Sequence, residues 1–159
     1  MKNKDKTNSQ LIKDLRKQQK EAHEQQVSDK IDSITRDPLE TGRQFADSKK
    51  LRWYDYISIV AISAAIIGFS FLIGIFALNA IAKTEWVLAL ATLTTLLTWL
   101  ILGWFKNKKV AEFFNDSRRR YQTTLTTWEG HLRRILKIIF GICSILLVTT
   151  LTTWLVFYL

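Results

Sequence analysis

Cysteine, proline and glycine are scarce in this 159-residue chain, and charge is missing altogether from long parts of it. The single cysteine, Cys143, excludes an intramolecular disulfide and reads as a small packed or lipid-facing residue of an apolar run. One proline, Pro38, leaves the rest of the chain free to be helical. No Asn-Gly or Asp-Gly pair separates alternating apolar runs, so hairpins of strands are not expected. His23 and His131 lie in different segments and neither has a neighbouring ligand set, whereas a zinc site needs three or four ligands. A glycine-rich phosphate loop, a nucleophile elbow and paired carboxylates within an apolar run are also missing. The sequence therefore predicts no enzyme, no cofactor, no metal and no evident small-molecule substrate.

The absence of charge is the most informative. Residues 57–82 carry none, residues 86–105 carry none, and residues 135–159 hold only Lys137. About 20 apolar residues cross a ~30 Å hydrocarbon layer, and a soluble helix of that length would show a polar face. The expected fold is all-α: a polytopic membrane protein with three transmembrane helices. A charged helical arm, residues 1–52, precedes them, and a basic helical loop, residues 106–134, joins the second to the third. The first apolar run starts too late for a cleaved signal and is expected to serve as an uncleaved insertion signal. Intramembrane charge is the usual mark of ion coupling, and its lack argues against an active transporter.

What charge there is gives a direction. The chain carries a net +9, of which the arm contributes +4 and the 106–134 loop +5; the link 83–85 is neutral and nothing charged follows the third span. Basic segments stay inside, which predicts a cytoplasmic N-terminus and an outer C-terminus; extensive lysine use and the compact three-span design suit a bacterial cytoplasmic membrane. Trp53, Tyr54, Tyr56 and Trp104 mark the inner boundary, Trp86 and Tyr158 the outer one. Lys49, Lys50, Arg52, Arg118, Arg119, Arg120, Arg133 and Arg134 are expected to meet anionic headgroups of the bilayer. Nucleic acid is an unlikely partner, because no groove-reading module accompanies the basic residues. Asp55 is expected at the interface beside Arg52.

Packing signals follow. The three-residue link predicts a tight hairpin of spans one and two. Small residues in span one, Ala61, Ala65, Gly68, Ser70, Gly74 and Ala77, are candidates for close helix approach. Thr92, Thr95 and Thr98 in span two face Thr149, Thr150 and Thr153 in span three at matching depth, as an interhelical contact or as a polar lining. Tyr121, Leu125, Trp128 and Leu132 continue into Ile135, Ile139 and Ile142 at steps of four and three. That stripe predicts one helix from about Ser117, whose apolar face packs against an extension of span two or serves association between subunits.

In the arm, the first eight residues are expected to lack order. Leu11, Leu15 and Ala22, then Val27, Ile31 and Ile34, fall at helical spacing. Asp37-Pro38-Leu39-Glu40 reads as a new helix start, with Asp37 as cap. The function this pattern suggests is a non-catalytic membrane subunit, a scaffold or accessory factor that recruits a protein partner or forms a homo-oligomer through its cytoplasmic helices. The alternatives are a small pore-forming or permeabilising protein, of a holin-like or defence-effector kind, and a membrane immunity protein.

Overall fold

A computed structural model describes the backbone of residues 2–79 and 81–158, with side chains except at 2–9, 33–35, 82 and 158. The side chains of Ile34 and Tyr158 thus lie outside the described residues. The chain is all-α: α1 (Lys2–Arg36), α2 (Pro38–Lys49), α3 (Trp53–Leu72), α4 (Thr84–Phe113) and α5 (Thr127–Tyr158), with short 3-10 turns at Ile81–Lys83 and Ser117–Arg119. Three helical stretches, ending in α3, in α4 and in α5, are long and apolar enough to cross a membrane. Their charge-free parts are 56–82, 86–105 and 138–159. The surface agrees. Val60, Phe69, Leu90, Leu93, Ile101, Val148 and Leu151 are all more than half exposed, a cost in water that disappears in lipid.

Local chemistry sets the breaks. Pro38 disfavours helical backbone at Asp37, which takes φ −135°, ψ 73° and ends α1. The cap differs from the expected one. Asp37 accepts the Thr41 amide (3.1 Å) and hydroxyl (2.9 Å) through its backbone carbonyl, and its carboxylate caps nothing. The helix α1 runs back to Lys2, into the stretch for which disorder was expected.

The α3 helix tightens its start through Asp55, whose Oδ2 accepts the Arg52 amide at 2.7 Å. Its packed face is Asp55, Ile59, Ser63, Ser70 and Gly74, with Ile66 and Ile67 partly buried between them. Steps of three and four keep these on one side. Of the small residues singled out in the sequence, Ser70 and Gly74 share this face, Ala61, Ala65 and Gly68 are exposed on the opposite side, and Ala77 is exposed at the end of the π-helical turn. Ala61, Ala65 and Gly68 lie about a third of a turn or more away from that face, so their size does not serve contacts within the chain.

The link between the first two spans is longer than three residues. α3 passes into a π-helical turn, Ile73–Ala77, and Asn79 then takes a left-handed φ of 49° before the 3-10 turn. This reversal folds the start of α4 inward. Thr84 and Glu85 become buried, and a Cβ added at Gly74 would collide with the Thr84 side chain. Glycine is required there by close approach. Gly74→Ala is expected to cost about 1–3 kcal/mol by overpacking. Gly68→Ala, with nothing near its Cβ position, is expected to be neutral or to stabilise by up to about 1 kcal/mol through helix propensity. Thermal unfolding of the two variants in detergent checks the contrast.

The third span holds the bundle together. α5 contacts each of α3 and α4 more extensively than they contact one another, and it also packs against α2. The π-helical end of the first span also packs on the start of α4, where Gly74 meets Thr84. Ile59, Ile142 and Leu146 form the core, flanked by Ile66, Ile67, Ile138 and Ile145.

Candidate functional site

The polar groups of the molecule converge at the charged end of the bundle, where α2, the start of α3, the end of α4 and the start of α5 meet. Asp55 and Arg134 form a bidentate ion pair across α3 and α5. Arg134 Nε donates to Oδ2 and Nη2 to Oδ1, each at 2.7 Å, with the side chains 6% and 13% exposed. Arg134 also stacks over Tyr54 at 5.0 Å. These groups lie just outside the spans. The Arg134 guanidinium holds the Asp55 carboxyl below the usual carboxylate range, against the opposing effect of burial.

A second cluster centres on Glu129, which is fully buried. Its Oε2 accepts the Thr124 amide (2.7 Å) and hydroxyl (2.8 Å), and its Oε1 pairs with Arg133 at 2.7 Å. Thr126 Oγ1 in turn accepts the Glu129 amide at 3.3 Å. Thr126-Thr127-Trp128-Glu129 is the Thr-x-x-Glu pattern of a helix start. It explains why α5 begins at Thr127 rather than near Ser117. The carboxylate draws residues 124–126 into a cap, and Leu125 takes a left-handed φ of 54°. The expected stripe is broken accordingly. Tyr121 is exposed and outside α5, Leu125 is in the loop, and only Trp128 and Leu132 share the helix with Ile135 onward.

The basic residues divide into two groups. Lys50, Arg52, Arg118, Arg119 and Arg120 are exposed, with Arg119 held by Asp116 at 3.7 Å. Lys49 lies over the Phe45 ring, and Arg133 covers the same ring at 5.6 Å. Arg134 departs from the expected headgroup contact, because Asp55 engages its guanidinium inside the bundle. Lys106, placed by α4 beside this cluster, is held below the usual lysine range by burial and then by Arg133.

The threonines meet as well. Thr92 Oγ1 and Thr150 Oγ1 lie 3.1 Å apart across α4 and α5. Thr95, Thr98, Thr149 and Thr153 donate to carbonyls three or four residues back on their own helices. Thr92 and Thr150 also reach such carbonyls, on Leu88 and Leu146. No group of three or more His, Cys, Asp or Glu residues arranged to hold a metal occurs among the described residues.

Within the arm, α1 reaches this end along the stretch from His23 to Lys30. His23 Nε2 lies 2.9 Å from the Glu112 carbonyl, and His23 and Val27 are half-buried beside Phe113. Residues 10–22 are exposed throughout. Compared with protein-family models, curated proteins and solved structures, the chain matches none.

Proposed function

We propose that the protein is a non-catalytic membrane scaffold, in which a rigid three-span bundle presents α1 as a recruiting helix. The observation that carries this reading is the contrast along α1. His23 and Val27 rest on the bundle, whereas Leu11, Ile12 and Leu15 are each half exposed or more, about 18 Å further along the helix at 1.5 Å per residue. An amphipathic helix lays such a face into the groove of another protein or a second copy. The i,i+4 pairs Lys17–Glu21 and Lys20–Glu24 support the helix between the two regions.

The charged end carries the chain's basic excess, so the arm and the 106–134 loop face the cytoplasm and the Lys83 turn faces outward. The pore alternative has less support. A lining needs hydroxyls available to water, and the threonine hydroxyls bond their own helices or each other.

The test is a photo-reactive amino acid at Leu11 or Leu15 in the full chain, in cells. A discrete cross-linked protein, lost when the label sits at Lys13 or Lys17 on the opposite side of the helix, is expected. Cross-linking only to lipid from all four positions, together with rapid loss of membrane potential on expression, would favour the pore.

A further inference from the structure

We infer that a groove between α3, α4 and α5 is a binding site for one anionic phospholipid. The groove has a volume of about 750 Å³, within the usual range of ligand sites. Its two ends differ. Lys106, Arg133 and Lys137 line the end at the membrane boundary, and Trp99, Phe140 and Ile145 line the part that runs into the bilayer. Helical spacing produces this polarity. Trp99 and Lys106 are seven residues apart on α4, and Phe140 and Arg133 seven apart on α5, two turns in each case. Because α4 and α5 run in opposite directions, both aromatic rings fall at one level, 5.8 Å between centroids, and the cations at the other.

Charge selects the occupant. Arg133 is neutralised by Glu129. Among the described residues no carboxylate lies within ion-pair distance of Lys106 or Lys137. Lys137 donates to the Lys49 carbonyl at 3.2 Å, which fixes the ammonium without cancelling its charge. Two ammonium groups without an ion-pair partner among the described residues, set above an apolar trough, match a phosphate joined to acyl chains, and basic pockets between membrane helices bind such headgroups. A free phosphate would use the cations and leave the trough empty. The site is separate from the recruiting role of α1, and its test does not depend on that role.

The experiment is native mass spectrometry of the full-length protein in detergent with equal phosphatidylglycerol and phosphatidylcholine. One retained phosphatidylglycerol per chain is expected, in preference to phosphatidylcholine. At about 1 kcal/mol per basic residue near the surface, Lys106→Gln with Lys137→Gln should weaken retention about 30-fold. Lys108→Gln with Lys109→Gln, which removes the same charge from the neighbouring turn, should leave retention unchanged. Lys137→Gln alone, at an exposed position, should weaken it about fivefold and keeps the test valid if the double variant does not fold. Equal retention of the two lipids, undiminished retention in Lys137→Gln, or displacement of the lipid by glycerol phosphate would each overturn the proposal.

Discussion

Replacing Arg134 by Met is expected to part the charged ends of α3 and α5 and to lower the melting temperature more than loss of any exposed basic residue. The pair with Asp55 is the polar contact that ties these helices, with both hydrogen bonds at 2.7 Å and both side chains largely covered. Removing the guanidinium leaves a buried carboxylate whose remaining partner is the Arg52 amide. An uncompensated buried charge costs more than the pair itself contributes. The double variant Arg134→Met with Asp55→Asn should therefore recover part of the loss, a coupling that a double-mutant cycle measures. Arg118→Met is the exposed control.

The same pair sets a pH dependence. The folded pKa of Asp55 is depressed, so its stabilisation is present above the unfolded value of about 3.9 and is lost as pH falls through the folded value. Melting in detergent should hold between pH 7 and about pH 5, and the Asp55-dependent share should vanish in stronger acid. If Arg134→Met melts like Arg118→Met at neutral pH, the clamp is not what joins the helices.

The second large effect concerns Gly130. A Cβ there would overlap the Ser48 side chain and lie 3.3 Å from the Phe45 carbonyl. Neither neighbour is the far end of a flexible chain, since Ser48 Oγ itself donates to that carbonyl at 2.7 Å. Gly130→Val should cost about 1–3 kcal/mol and lift α2 from α5. That would expose Phe45 and release its stacking under Lys49 and Arg133. Tryptic cleavage at Arg43, Lys49 and Lys50 reports the opening, rising about tenfold for each 1.4 kcal/mol while opening and closing remain fast. Gly42→Ala, with open space around its Cβ, should be cut no faster than wild type. Equal cleavage of the two variants would show that α2 is not seated on α5.

The spans were legible because charge-free length is a property of composition, and solvent chemistry decides it without reference to partners. The α2 start was legible for a similar reason, since Pro38 acts on its immediate neighbours. Register was not. The small residues of α3 occupy several sides of the helix, and only the partner α5 selects the side carrying Ser63, Ser70 and Gly74. The Asp55–Arg134 pair joins positions 79 residues apart, which no local spacing reveals, although Asp55 is the sole acid between Asp47 and Glu85. The start of α5 had a readable signal in Thr126 and Glu129. The four-three stripe outweighed it, because apolar spacing from Tyr121 onward is compatible with helix whether or not a cap interrupts it. The turn after α3 depends on a π-helical segment and a left-handed Asn79, neither of which leaves a mark in apolar periodicity.

The central claim is that the bundle folds by itself and that α1 is there for association. Deleting residues 1–36 tests it directly, by comparing the melting temperature in detergent with the amount of protein partner or second copy captured by chemical cross-linking in membranes. An unchanged melting temperature is expected, because α1 meets the bundle along the short stretch from His23 to Lys30 and residues 10–22 are exposed, together with loss of the cross-linked species. A truncated protein that keeps the cross-linked species, or a bundle that no longer melts cooperatively, would contradict it.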